Sequence, residues 1–143
     1  KPVHDGILFG IHGGHVNCTD GRYVYMRGPK SPENKPLYNY TLMPTHMRYM
    51  FRVAELQNIE LAEPFSFTKG CRTMKIAADG RKAPLEKLYT FGTMLFDLEN
   101  DPNQLHPIND KNIEEYMISL MIKLMRKNDC PEEQFERLGL PVK

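Results

Sequence analysis

Apolar and polar positions alternate through Met94–Pro102, and the elements predicted for the rest of the chain can be arranged around this segment. The alternation places large apolar side chains on one face, which is typical of a strand. The strand should end at Glu99–Pro102, because proline cannot donate to a ladder and Asp and Asn close turns on nearby backbone amides. We predict one long strand over Leu88–Leu98.

The C-terminal third has the period of a helix. Its apolar residues step by three and four, which predicts an amphipathic helix of about five turns. Asn109 or Asp110 is the expected N-cap, and Pro131 begins a shorter helix over Glu132–Leu138 that Gly139 ends. The apolar stripe of the long helix consists of Ile113, Tyr116, Met117, Leu120, Met121, Leu124 and Met125.

The first part of the chain predicts an antiparallel meander. Ile7–Ile11 is a continuous apolar run between glycines, which indicates a buried strand. Val16–Thr19 and Arg22–Arg27 alternate on either side of Asp20-Gly21, a pair that is typical of a tight hairpin. We therefore expect three strands before the first proline-rich loop.

The middle of the chain has weaker patterns. Gly28–Pro36 is rich in proline and predicts a loop, whereas Leu37–Met43 alternates as an extended segment. Pro44–Leu56 has apolar residues at helical spacing after Thr45, which predicts a short helix. The remaining segments are interpreted as irregular chain, a short strand and a loop, over Asn58–Cys71, Thr73–Ala78 and Arg81–Lys87, respectively.

These elements predict a single α+β domain over residues 1–143. A small antiparallel sheet of about four strands packs against the long C-terminal helix, and a short helix follows. The formal net charge of +1 gives no global attraction to nucleic acid or to an acidic membrane surface. No apolar run is long enough to span a bilayer, and Lys1–Asp5 does not have the pattern of a signal peptide. We expect neither a nucleic acid nor a membrane as partner.

Four side chains are the candidates for a substrate pocket. His12 and His15 flank a Gly-Gly pair, and His46 and Arg48 lie close together further along the chain. All four fall on predicted connections or next to them, where binding residues are often carried by a rigid scaffold. Histidine and arginine side chains suit an anionic ligand.

His4, Asp5 and the three cysteines do not predict catalysis or metal binding. His4 and Asp5 extend the group of histidines, but the spacing matches no metal-site pattern. The cysteines Cys18, Cys71 and Cys130 are widely spaced and odd in number, which favours reduced thiols. No catalytic residue and no metal ligand is predicted in this chain.

Two segments together resemble passages of type I sulfatases. Leu95–Pro102, followed by Gln104 and a long helix, resembles the passage L-Y-D-L-x-x-D-P-x-E near the C-terminus of that family. Phe96 stands for the usual Tyr, and Gln104 departs from the expected Glu. Thr19–Arg27 resembles the hairpin R-T-x-x-Y-K-Y that precedes it, with Val24 in place of the common Lys.

The resemblance implies the smaller C-terminal subdomain of a formylglycine-dependent sulfatase of the alkaline-phosphatase-like superfamily. In that family the subdomain is a four-stranded antiparallel sheet with a long helix packed on it. The formylglycine and a divalent cation, calcium or magnesium, belong to a larger N-terminal catalytic domain, none of whose motifs occurs here. The implied partners are that domain and a sulfate-ester substrate. The chain starts without Met, which agrees with a processed protein or an excised fragment. The resemblance implies a bacterial protein, and the expected location is cytoplasmic or periplasmic.

This chain is therefore expected to complete the sulfatase fold without being catalytic alone. The connections Gly10–His15 and Pro44–Cys71 are expected to wall the substrate pocket. Cys18 and Arg22 have the spacing of the formylglycine motif. However, Asp20 stands where that motif has Pro or Ala, and the segment is a predicted hairpin rather than a helix start. We reject Cys18 as a nucleophile.

Three alternatives lie outside the sulfatase interpretation. The first is a free-standing module that binds anions or sulfated glycans through Arg22, Arg27 and Lys30 together with tyrosines. The second is an enzyme complete in itself, which the absence of a catalytic set of residues disfavours. The third is a structural or oligomerisation role, which a large apolar patch exposed by the missing domain would mimic.

Overall fold

The computed structural model describes residues 4–78 and 88–141. The strands are β1 (Ile7–Gly10), β2 (Val16–Thr19), β3 (Tyr23–Arg27), β4 (Tyr38–Thr41), β5 (Glu60–Ala62), β6 (Thr73–Ala77) and β7 (Met94–Asp97). The α-helices are α1 (Val53–Leu56), α2 (Leu88–Phe91), α3 (Lys111–Lys127) and α4 (Glu132–Leu138). Two antiparallel sheets have the strand orders β1-β2-β3-β7 and β4-β6-β5. The predicted α+β fold, with a four-stranded sheet, a long helix and a short helix after it, is confirmed.

The predicted hairpin forms between β2 and β3. Cys18 pairs with Tyr25 and Thr19 with Val24 across the two strands. The turn is closed by the Asp20 side chain, whose Oδ1 accepts hydrogen bonds from the backbone N–H groups of Arg22 and Tyr23 at 2.9 and 2.8 Å. An Asp at this position thus satisfies the amides that the hairpin turn leaves without ladder partners.

The core lies between the first sheet and α3. Cys18, Tyr25 and Leu95 are cross-strand partners on one face of the sheet and are buried. The facing side of α3 buries most of the predicted stripe, whereas Tyr116 is half exposed at its margin. The buried members of that stripe are Met117, Leu120, Met121, Leu124 and Met125.

The N-cap of α3 gives a first testable prediction. Asp110 Oδ1 accepts hydrogen bonds from the backbone N–H groups of Asn112 and Ile113 at 2.9 and 3.1 Å. Replacing Asp110 with Ala should lower the free energy of unfolding by about 1 kcal/mol, because those amides lose their acceptor. Urea denaturation measures this change. Asp110→Asn, which keeps an acceptor oxygen, is the matched control and should lose much less.

The prediction of a buried first strand is wrong. Among residues 4–78 and 88–141, β1 is an edge strand that pairs only with β2. Ile7 is 56% and Phe9 47% exposed, while Leu8 points into the core side. A continuous apolar run cannot distinguish a central strand from an edge strand, since the neighbours are set by the topology of the whole sheet.

The prediction of one strand over Leu88–Leu98 is also wrong in its first half. Leu88–Phe91 form the single turn of α2, and β7 begins only at Met94. Gly92 separates them with a φ of +63°, in the left-handed region that glycine adopts without steric cost. Pairing of β7 with β3 places Leu95 opposite Tyr25, so the second half of the prediction is confirmed.

A second sheet is inserted between β3 and β7. The predicted strand over Thr73–Ala78 is confirmed as β6, which pairs with β4 and β5. Asn58–Cys71 is not wholly irregular, because it contains β5 and a 3-10 turn over Ser66–Thr68. The predicted loop over Arg81–Lys87 lies outside the described residues.

The predicted helix over Pro44–Leu56 is reduced to the four residues of α1. Thr45 and Met50 instead form an antiparallel bridge, so the chain between them makes a short excursion. Met47 is 90% and Met50 71% exposed. An amphipathic pattern forms a helix when it has a surface to bury its apolar side, and these methionines have none in the described residues.

Within the described residues, no helix has the length and apolar character needed to cross a membrane.

Candidate functional site

A polar corner joins the hairpin turn to the end of β7. Arg22 donates from Nε to Asp97 Oδ1 at 3.3 Å and from Nη2 to Asp97 Oδ2 at 3.0 Å. Its Nη1 also lies 3.1 Å from Glu99 Oε2. This fork of two parallel bonds is the strong geometry for an arginine and a carboxylate. The corner holds together two segments that are about 75 residues apart in sequence.

Asp97 also organises the turn that follows β7. Its carboxylate accepts from the Glu99 backbone N–H at 3.1 Å and from Asn100 Nδ2 at 2.9 Å. The Arg22 hydrogen bond, with smaller contributions from Asn100 and Glu99, lowers the pKa of Asp97 below its usual value. The next acid, Asp101, accepts from the His106 backbone N–H at 2.7 Å. These acids stabilise a turn and do not form an acid–base pair.

The Ile11–His15 turn connects β1 to β2 and carries two of the candidate histidines. His15 is buried, and its Nε2 lies 2.7 Å from the Gly92 carbonyl oxygen. His12 is exposed, and its Nε2 lies 3.0 Å from the Tyr38 carbonyl oxygen. The two rings therefore point to different parts of the chain. His15 fixes the turn to the segment before β7, and His12 is presented at the surface.

Two further side chains, those of Asn34 and Arg137, donate hydrogen bonds to carbonyl oxygens of this turn. Asn34 donates from Nδ2 to the Gly13 carbonyl oxygen at 2.7 Å. Arg137, on α4, donates from Nη1 to the Gly14 carbonyl oxygen at 3.1 Å and to Asn34 Oδ1 at 2.8 Å. Asn34 and Arg137 are both buried. Sequence reasoning missed them, because neither forms a motif with the turn and the partners lie far apart in the chain.

Glycine is required where the His15 ring meets the backbone. A Cβ atom on Gly28 would lie 2.9 Å from the Gly92 carbonyl oxygen and 3.0 Å from His15 Nε2. The contact with the Gly92 oxygen is too close for a side chain, and the contact with the His15 ring is tight. A side chain on Gly28 would therefore force the bond between His15 and Gly92 to shift. The sequence signal was a single Gly at the start of a proline-rich loop, which did not indicate this role.

The other two candidates lie on the excursion between β4 and α1, which we name the lip (Pro44–Arg52). His46 Nε2 lies 2.8 Å from Glu55 Oε1. The His46 ring also contacts the rings of Tyr49 and Phe51, with centroids 4.4 and 4.3 Å away. His46 therefore holds the lip in place, whereas Arg48 is exposed. In the described part of the chain, no hydrogen bond or ion pair joins His46 or Arg48 to His12 or His15.

A mostly apolar cavity of about 350 Å³ lies where the first sheet, the inserted segment and the α3–α4 connection meet. Two of its polar side chains already have hydrogen-bond partners within the chain. Asp129 accepts from the Ser66 backbone N–H and Asn128 donates to the Leu124 carbonyl oxygen, both at 2.7 Å. The cavity is lined by Leu8, Val16, Tyr40, Phe65, Phe67, Met125, Asn128, Asp129, Cys130 and Pro131. Among the described residues that line it, there is no cationic side chain to bind an anion.

The three thiols are free and differ in environment. Burial raises the pKa of both Cys18 and Cys130 to about 11, with smaller contributions from Asp20 and Glu133. Cys18 lies within β2 and is fully buried, which agrees with its rejection as a nucleophile. The described residues contain no group of three or more His, Cys, Asp or Glu side chains able to hold a metal ion.

Thiol labelling tests these environments. At pH 8 in the folded protein, Ellman's reagent should react quickly with the exposed Cys71 and slowly with Cys18 and Cys130, because thiolate is the reactive form and burial suppresses it. Denaturant should release both slow thiols. The variant Cys71→Ser should lose the fast phase alone. Fast reaction of two thiols in that variant would contradict the buried position of Cys18 and the partly buried position of Cys130.

The chain was compared with known proteins in three ways. No protein-family profile, no curated protein and no solved structure matches it.

Proposed function

We propose that this chain is the C-terminal subdomain of a type I sulfatase, which completes the fold of an N-terminal catalytic domain and walls one side of its substrate pocket. One observation carries the proposal. The two segments that resemble the family, Thr19–Arg27 and Leu95–Pro102, are adjacent in space and are joined by the bonds between Arg22 and Asp97. Both sets of residues thus build one structural unit.

The adjacency supports the proposal because two chance resemblances far apart in a sequence have no reason to meet. Here β3 and β7 pair directly, with Tyr23 opposite Asp97 and Val24 opposite Phe96. The inserted sheet leaves and returns between these two strands without disturbing their pairing. The four-stranded sheet and its covering helix are also the fold that the resemblance implies.

The face of the first sheet opposite α3 supports docking onto a partner domain. Phe9, Asn17, Met26 and Met94 are cross-strand neighbours on that face. At its edge Phe9 is half exposed together with Ile7. Asn17 Oδ1 is buried and has no hydrogen-bond partner among the described residues. The exposed apolar side chains at this edge, Ile7 and Phe9, suit an interface with another domain, whereas Asn17 is already covered within the chain.

In this proposal each domain has a separate role. The catalytic domain would hold the formylglycine and the calcium or magnesium ion, which together would supply the chemistry of sulfate-ester hydrolysis. This chain supplies the Ile11–His15 turn and the lip, which present His12 and Arg48 to the anionic substrate. Neither residue has a carboxylate partner among the described residues. His12 Nε2 lies 3.0 Å from the Tyr38 carbonyl oxygen, so Nδ1 of the protonated ring is the atom left to donate to a sulfate group, whereas Arg48 offers its guanidinium.

The experiment is expression of this chain with the reading frame upstream of Lys1, followed by an assay with an aryl sulfate such as 4-nitrophenyl sulfate. We expect the upstream frame to encode Cys/Ser-x-Pro/Ala-x-Arg with Asp, Asn and His metal ligands, and the full product to hydrolyse the ester. Replacing the Cys or Ser of that motif with Ala is the matched control. A reading frame that opens at Lys1 would contradict the proposal.

The anion-binding module gains no support from the geometry, because its cations are used within the chain. Arg22 is bound by Asp97 and Glu99, and Arg27 donates to the carbonyl oxygens of Leu138 and Gly139. Lys30 lies 3.6 Å from a carboxylate oxygen of Glu136. Binding of this chain to heparin at about 0.15 M salt, where weak surface attraction is screened, would favour this alternative.

A further inference from the structure

Arg137 is a buried cation without a carboxylate partner among the described residues. The residue lies on α4 and is only 2% exposed. It donates from Nε to Gln134 Oε1 at 2.8 Å, and from Nη1 to Asn34 Oδ1 at 2.8 Å and the Gly14 carbonyl oxygen at 3.1 Å. All three acceptors are neutral.

A role in stability alone does not account for this residue. Burial lowers the pKa of Arg137 to about 10, so the side chain is still a cation at neutral pH. Removing a guanidinium from water without a counter-charge is unfavourable, and an apolar side chain of similar volume often stabilises such a site better. The reason for an arginine should therefore be found in the groups that it contacts.

The contacts of Arg137 converge on the Ile11–His15 turn. The Gly14 carbonyl oxygen is held directly, and the Gly13 carbonyl oxygen is held through Asn34. Two successive peptide groups of the turn are thus fixed from the buried side. On the other side the turn exposes His12. The His12 ring is itself held at Nε2, which lies 3.0 Å from the Tyr38 carbonyl oxygen, so the turn and β4 together set its direction.

We propose that Arg137 is a positioning residue that holds the Ile11–His15 turn in one conformation and so presents His12 to an anionic substrate group. The hydrogen bonds alone fix the turn. The role of Arg137 toward the substrate rests on the proposed sulfatase function, which it deepens by assigning a residue of the C-terminal helix to the substrate pocket.

Hydrogen–deuterium exchange of this chain tests the statement about the turn. Arg137→Met keeps the length of the side chain and removes its donors. We expect amide exchange in residues 11–15 to accelerate by about tenfold relative to α3, the effect of losing one buried hydrogen-bonded contact. If this variant does not fold, Arg137→Lys, which keeps one donor, should show a smaller acceleration at the same residues. No local change in the folded variant would overturn the proposal.

Two matched controls separate the hydrogen bonds from charge and from helix packing. Gln134→Glu keeps the acceptor of Arg137 Nε and adds the missing counter-charge, so the turn should keep its protection. Arg126→Met makes the same substitution on α3, where Arg126 lies over the Phe135 ring 5.7 Å away and does not contact the turn. Faster exchange of residues 11–15 in either control would overturn the proposal.

In the full-length sulfatase, Arg137→Met should raise the KM for an aryl sulfate by about three- to tenfold while kcat changes little, because a misplaced His12 weakens binding of the anionic group. Arg126→Met should leave both constants unchanged. A purely structural role would lower the amount of active enzyme and leave KM unchanged, which would overturn the substrate part. Absence of activity in the wild-type product would instead contradict the proposed function and leave the exchange result intact.

Discussion

Replacing Asp97 with Asn should lower the melting temperature of this chain by several degrees at pH 7 and reduce its loss of stability in acid. Asp97 is the acceptor on which Arg22, the Glu99 backbone and the Asn100 side chain converge. Asn would direct an NH₂ group at one or more of these donors. The variant therefore loses a bidentate ion pair and leaves donors without an acceptor at the end of β7.

The sign of the pH effect follows from the pKa of Asp97. The hydrogen bond from Arg22 holds the pKa of Asp97 in the folded chain below the usual value of 3.8. Asp97 thus contributes stability that is fully present above the unfolded pKa and is lost as the pH falls through the folded pKa. The difference in stability between wild type and Asp97→Asn should be constant near neutral pH and shrink below about pH 4.

Thermal unfolding followed by circular dichroism between pH 3 and pH 7 measures this difference. Glu99→Gln is the matched control, since Glu99 interacts with the same arginine but is largely exposed. Its effect should be small at every pH, because exposed ion pairs contribute little. An equal effect of both variants would show that the ion pair between Arg22 and Asp97 is not what joins the hairpin turn to the end of β7.

The parts of the fold that the sequence predicted well are those determined by neighbouring residues. Asp20-Gly21 carries its own turn chemistry, and the boundaries of α3 and α4 follow from the Asp110 cap and the Gly139 stop. Within these elements the hydrogen bonds and the apolar period come from the same short segment. Local rules are therefore enough to place them.

The errors fall where distant parts of the chain decide. β1 is an apolar run, but its exposure follows from its place at the edge of the sheet, where β2 is the one strand beside it in the described part of the chain. The helix predicted over Pro44–Leu56 lacked a surface to bury Met47 and Met50. α2 and β7 are separated by the conformation of Gly92, which alternation does not reveal. In each case the tertiary environment overrides a correct local pattern.

The candidate site shows the same division. His12 and His15 were identified because a Gly-Gly pair marks a turn, and the structure places them on one. The residues that fix this turn, Asn34 and Arg137, are 21 and 123 positions away from the carbonyl groups they hold. No pattern within a single segment could connect them, so this part of the site became visible only in the folded chain.

In the full-length protein, His12→Ala and Arg48→Ala should each lower kcat/KM for an aryl sulfate by about tenfold, mainly through KM. Both side chains are exposed and stand on connections, so their removal should leave the melting temperature nearly unchanged. Each would remove one hydrogen bond or charge contact to the sulfate group, for which a tenfold loss is the usual order.

Variants of the other two candidates, His15 and His46, separate a role in substrate binding from a role in holding the structure. His15 and His46 hold the turn and the lip through Gly92 and Glu55, so His15→Ala and His46→Ala should lower the melting temperature as well as kcat/KM. Lys111→Ala, at the exposed start of α3, is the control and should change neither quantity. If His12→Ala and Arg48→Ala keep full activity in a product that hydrolyses sulfate esters, the sulfatase assignment would stand. The turn and the lip would then face away from the active site, and this subdomain would serve only to complete the fold.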